Sequence, residues 1–178
     1  MRKLNAILTV LILVTFLVHA IFASFQLIGV GSRSMKIMAR AALTLVAAHT
    51  VIGVITTVKT LIATKRSGAP YFKHNLLFWA RRISGFAVMI LLAFHFIIFG
   101  TGVKDRLPEF DVFSLITQIA LVVTIAVHVV SNAKPVLISF GIKSLKPYAG
   151  DILFYVSIAS LLFIAAFIVY YIRWYAVA

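Results

Sequence analysis

His19, His49, His95 and His128, four of the five histidines, each fall inside a different long apolar segment. An imidazole within a lipid-spanning helix is costly unless it meets a partner, a cavity or a cofactor. A single one would read as an interhelical polar contact. Four on four separate segments can form two opposed pairs, and two imidazoles facing each other from different helices can hold a haem between them. Zinc and copper sites gather ligands at i, i+3 or i+4 spacing or recruit carboxylates. These histidines have no such spacing, and no Asp or Glu lies in the apolar interior of any segment. Cysteine is absent, which excludes thiolate metal sites, iron–sulfur clusters and disulfides within this chain.

Depth predicts which imidazoles can meet. A helix rises 1.5 Å per residue, so His19, sixteen residues after Lys3, lies roughly 24 Å into its segment. His95, thirteen residues after Arg82, lies roughly 20 Å in on the same basis. His49 precedes Lys59 by ten residues, and His128 precedes Lys134 by six and Lys143 by fifteen, which gives roughly 9 to 22 Å from that same side. The expected pairs are His19 with His95 and His49 with His128. His74 sits in the Tyr71–Asn75 connection among headgroup-level residues and reads as a surface residue, not a ligand.

The segments that must position these residues are set by hydropathy. Hydrophobic residues make up 63% of the 178 and charged residues 12%, against about 25% charged in an ordinary soluble domain. The chain is predicted to be all-α, one integral membrane domain over 1–178, with spans at about 5–30, 40–62, 77–101, 112–133 and 151–173. The fourth has two possible ends, because Val136 to Ile142 is apolar again after Pro135. The run from Ala6 to Val30 is too long for a signal-peptide core and reads as a retained first helix. Short connections make successive helices antiparallel neighbours. Trp79, Tyr148, Tyr171, Trp174 and Tyr175 lie near segment ends, where interfacial anchors belong.

The net charge of +13, from 17 Lys and Arg against 4 Asp and Glu, punctuates the spans and does not form a basic domain. Orientation and lipid headgroups account for it, and no nucleic-acid partner is expected. Eleven cations fall on the side of the N-terminus and six on the other, which also holds Asp105, Glu109 and Asp111. The bias predicts a cytoplasmic N-terminus and an external C-terminus.

The third span contains Arg82-Ile83-Ser84-Gly85, then an apolar stretch ending at His95. With one histidine in each of the first four of five spans, this resembles the cytochrome b membrane-anchor subunits of succinate dehydrogenases and fumarate reductases. The likeness is to the single-chain, dihaem, menaquinone-linked branch, and Gly141-Ile142 after His128 looks like that family's exit from its fourth helix. The resemblance implies two haem b groups, a distal one on His19 and His95 and a proximal one on His49 and His128. Arg82 would balance haem propionates or dock a partner. It further implies a prokaryotic cell membrane, a menaquinone-type quinone and electron relay to an iron–sulfur subunit and a flavoprotein subunit on the cytoplasmic side. Dehydrogenase chemistry would then reside in those partners. No quinone-site residue is carried over. Ser84, Thr44 and Gly53 are candidates to support the ligands, with core packing the competing role for each. The alternatives are a cytochrome b of another redox complex, or a haem-free scaffold or transporter whose histidines serve as polar contacts.

Overall fold

In the computed structural model, residues 2–30, 36–68, 75–100 and 109–177 are described. The connections at 31–35, 69–74 and 101–108, with His74, Arg33, Lys73, Lys104, Asp105 and Arg106, lie outside the described residues. Five α-helices follow one another: α1 (Arg2–Leu27), α2 (Lys36–Ser67), α3 (Leu76–Gly100), α4 (Val112–Ser139) and α5 (Ala149–Val177). A short 3-10 turn, Lys146–Tyr148, leads into α5. Only a helix or a closed barrel satisfies every backbone group within hydrocarbon. All five helices are long and apolar enough to cross a membrane, and no strand occurs among the described residues.

Helix ends differ from the predicted segments for identifiable reasons. α1 stops at Leu27, not near Val30, because Gly29 turns left-handed (φ 87°). Val30 N–H then bonds Phe25 O at 2.9 Å and Gly29 N–H bonds Gln26 O at 3.1 Å, the paired closure of a Schellman turn. α4 does not end at 133. It continues through Pro135 to Ser139 and closes in the same way on Gly141 (φ 89°). The proline removes one backbone donor. Polar side chains bind carbonyls on either side of it: Asn132 Nδ2 donates to His128 O (2.8 Å) and Ser139 Oγ to Pro135 O (2.8 Å). These bonds fall on the turns before and after the proline, and the helix runs on through it. α2 spans about 48 Å by its rise, so its basic end, with Lys59, Lys65 and Arg66, outruns a hydrocarbon core of about 30 Å.

At their starts, Asn75 Oδ1 accepts from Phe78 N–H (3.0 Å) for α3 and Asp111 Oδ1 from Ser114 N–H (2.7 Å) for α4. Hydroxyls within the helices turn back on their own backbones, as with Thr9 on Asn5 O, Thr57 on Gly53 O and Ser160 on Val156 O. Large apolar side chains such as Phe86, Leu161 and Tyr155 face outward.

α1 packs along α2 and α5, and α4 along α3 and α5, with a lighter contact between α1 and α4. The best-filled part lies at one end, where Leu27, Phe110, Ala166 and Tyr170 form a buried cluster. Phe110 is fully buried and stacks nearly parallel on Phe167 (6.1 Å, 8°). At the opposite end, Lys3 and Ile7 of α1 line a cleft with Ile138, Ser139, Phe140 and Gly141. The start of α1 and the end of α4 therefore share one end of the bundle. The expected packing of successive helices holds for α1–α2, α3–α4 and α4–α5 and fails for α2 and α3, which bring no two described Cα atoms within 8 Å.

Candidate functional site

The four intramembrane histidines meet in two pairs. His19 of α1 faces His95 of α3 with ring centres 6.3 Å apart and planes at 85°. His49 of α2 faces His128 of α4 at 6.5 Å and 90°. These are the partners that depth alone predicted. Among the described residues, α1 and α3 bring no two Cα atoms within 8 Å, and neither do α2 and α4. Directly packed helices run 8–10 Å apart axis to axis and bring backbones into contact. Each imidazole pair thus spans a gap between helices that do not pack on each other, and all four rings are only half-buried.

A metal–nitrogen bond of about 2.0 Å, plus about 1.2 Å from ring nitrogen to ring centre, places two imidazole centres on opposite sides of one metal ion about 6.4 Å apart. Both observed spacings match that distance. Among the described residues, no group of three or more His, Cys, Asp or Glu side chains converges as a metal site.

Each pair has one tethered ring and one untethered ring. His95 Nδ1 lies 2.7 Å from Gln118 Oε1. A carbonyl oxygen only accepts, so His95 carries its proton on Nδ1 and offers Nε2 as its lone pair. His128 Nδ1 lies 3.0 Å from Ser84 Oγ, whose own hydrogen goes to Arg81 O at 3.4 Å. The serine oxygen then accepts from His128 Nδ1–H, which leaves Nε2 of that ring basic as well. His19 Nδ1 and His49 Nδ1 are buried with no hydrogen-bond partner. Buried polar nitrogens are seldom left so, and coordination would give such an atom, or its ring, a role.

Sequence placed Ser84 and Gly85 side by side, and both touch His128. A β-carbon at position 85 would sit 3.1 Å from His128 Cε1, so glycine lets that ring lie against α3. Of the other two candidates, Thr44 makes no hydrogen bond to a histidine ring among the described residues, and Gly53 makes no close approach to one. Thr44 Oγ1 donates to Arg40 O of its own helix (3.0 Å), and a β-carbon at Gly53 would meet nothing within 4 Å. Arg82 stacks its guanidinium over the Phe78 ring at 5.2 Å and lies within electrostatic reach of both His49 and His128.

Comparison of this chain with protein-family models, with curated proteins and with solved structures finds no match. The site therefore rests on its own geometry.

Reciprocal register sets the distance between the pairs. On α3, Gly85 meets His128 and His95 meets Gln118; on α4, those two partners are likewise ten residues apart. Ten residues of helix separate the pair centres by about 15 Å along the bundle. Beyond His95, Phe99 packs against it at 5.1 Å with the rings tilted by 45°, and continues into Phe110 and Phe167, an aromatic plug at that end.

Gln118 is the residue that sequence reading missed. The available signal was an amide deep within the apolar run of the fourth span, a position where a polar group needs a partner.

Proposed function

We propose that this chain is a dihaem cytochrome b that relays electrons across a membrane. By the resemblance drawn from the third span, we assign it as the anchor and electron-transfer subunit of a succinate:quinone oxidoreductase. The observation that carries the reading is the pair of facing imidazole sites at 6.3 and 6.5 Å, across helices that leave a gap between them. Two imidazoles per site, with no third protein ligand among the described residues, would suit a haem better than a zinc ion, which takes three or four protein ligands. His19 with His95 would hold one haem and His49 with His128 the other. When bound, the two groups would supply one-electron carriers at histidine pairs whose centres lie about 15 Å apart along the bundle.

The protein's own part is to orient and insulate. Ser84 and Gln118 fix the tautomers of His128 and His95, and such outer partners also raise ligand basicity. Arg82, beside the His49–His128 pair, suits an anionic propionate. The helix ends nearest that pair carry Lys59, Lys65, Arg66, Arg81, Lys134, Lys143 and Lys146. By the positive-inside bias this end is cytoplasmic. There it would meet an iron–sulfur subunit and its flavoprotein, while a quinone of the menaquinone type exchanges electrons from within a prokaryotic cell membrane.

The deciding experiment is a reduced-minus-oxidised optical spectrum of the purified chain, with haem quantified per polypeptide. Two b-type haems per chain are expected. Folded protein without haem, from cells supplied with it, would overturn the reading and leave a scaffold whose histidines are polar contacts. Co-purification with a flavoprotein and an iron–sulfur protein would support the assigned complex, and recovery with a different set of redox subunits would overturn that part alone.

A further inference from the structure

Gln118 of α4 is fully buried, with Leu121 and Val122 buried one turn further on. Its Oε1 sits 2.7 Å from His95 Nδ1, and its Nε2 donates to Thr117 Oγ1 at 3.4 Å. The Thr117 hydroxyl donates onward to Ser114 O at 2.9 Å. This sequence of bonds has one direction. Turning the amide over would set its NH2 against His95 and its carbonyl against a threonine hydrogen already committed to Ser114. Thr117 and Ser114 are buried too, so the row is closed to water.

No other histidine in the site has a side-chain amide behind it, although His128 also reaches the backbone carbonyl of Arg81. His19 Nδ1 and His49 Nδ1 have no hydrogen bond, and His128 bonds a serine hydroxyl at the longer distance of 3.0 Å. A short bond to an obligate acceptor pulls the Nδ1 proton away from the ring and enriches the opposite nitrogen in electron density. A more basic axial nitrogen favours the oxidised state of a metal bound to it.

We infer that Gln118 is a positioning residue for His95, holding it as the Nδ1–H tautomer and lowering the reduction potential of the haem shared with His19. This rests on the dihaem reading and adds to it an electronic difference between the two sites, set by one neutral side chain. Gln118 acts through His95 and touches no reacting atom in this role.

The test is a redox titration of the purified, haem-loaded full chain, following each haem by its optical band. Wild type is compared with Gln118→Met, which keeps the volume and loses the acceptor, and with Gln118→Glu, which keeps the acceptor. The affected haem is identified as the one missing from His95→Ala. Gln118→Met should shift that haem's reduction equilibrium about tenfold toward the reduced form, about 59 mV for one electron. The second haem should stay put, and Gln118→Glu should titrate at or below the wild-type potential. A Gln118→Met protein with two haems and neither potential moved, or with both moved equally, overturns the role of Gln118 and leaves the dihaem reading standing. If Gln118→Met sheds the haem, Gln118→Glu decides. Retention at or below the wild-type potential supports the inference, and loss or an upward shift overturns it. Wild-type protein with no haem overturns both.

Discussion

Gly85 of α3 lies against His128 of α4, so close that a β-carbon at position 85 would come within 3.1 Å of His128 Cε1. Its neighbour Ser84 bonds the same ring at 3.0 Å. Two adjacent residues thus hold one imidazole, one by leaving room and one by accepting its proton. In a plain helix, Gly→Ala would gain about 1 kcal/mol. At Gly85 the ring must move off its tether. Gly85→Ala should therefore weaken haem retention at the His49–His128 site, while Gly53→Ala, in open space, should leave retention unchanged. Haem per chain after detergent washing measures both. Ser84→Ala should lower affinity at that same site by about 10- to 100-fold, the usual cost of losing such a partner.

The pairing makes a sharper demand. His19→Ala and His95→Ala should each remove the same haem, and the double variant should lose no more than either single one. His49→Ala and His128→Ala should remove the other. Combining His19→Ala with His49→Ala should leave a colourless chain. Optical spectra of the six proteins check the pattern, and any single variant that keeps both haems removes its histidine from the ligand set. Because the ring planes stand at 85° and 90°, both oxidised haems should give the strongly anisotropic low-spin resonance of crossed axial imidazoles.

At the other end, Arg173 of α5 donates to Leu27 O at 3.0 Å and so caps the terminus of α1 across the whole chain. A β-carbon on Gly29 would fall inside the Arg173 guanidinium, and the backbone there is left-handed. Gly29→Ala should lose about 1–2 kcal/mol from the backbone alone, with a further loss from displacing Arg173. Arg173→Ala should lower stability through the freed carbonyl but leave the positive φ intact. Thermal unfolding in detergent should rank Gly29→Ala below Arg173→Ala, with both below wild type.

Asp111 gives the start of α4 a pH dependence. Hydrogen bonds from the Ser114 side chain and then the Ser114 backbone hold its carboxyl below the ordinary aspartate value. With the folded-state pKa depressed, the cap's contribution is complete above the unfolded value of roughly 3.9 and is lost as pH falls through the folded one. Asp111→Asn caps without a charge, so its melting temperature should decline less between pH 5 and pH 3 than that of wild type. Equal slopes would show that the carboxylate charge contributes nothing to this cap.

Much of this protein was legible before any tertiary contact was known. Five apolar runs dictate five helices because hydrocarbon leaves the backbone few other ways to satisfy itself. Depth is also readable, since a fixed rise per residue converts distance from a flanking charge into height. That is why His19 could be matched to His95 and His49 to His128 from the chain alone. Ser84 and Gly85 were visible as a motif, although nothing in it named His128 as their partner.

Azimuth was not readable. Which side of a helix faces which neighbour depends on how all five pack, and these helices are apolar nearly all round, so their hydropathy barely marks an inner face. Only the folded bundle turns Gln118 onto His95, leaves His19 and His49 without a bond at Nδ1, and turns the Thr44 hydroxyl back on its own helix. Pro135 shows the same division, because the residue announces a break while the helix in fact continues through it to Ser139. The sequence by itself determined the spans, the one-per-helix histidines and their heights, all set by spacing along a line. The tertiary structure decided which side chains stand behind those imidazoles, because that is set by rotation about each helix axis.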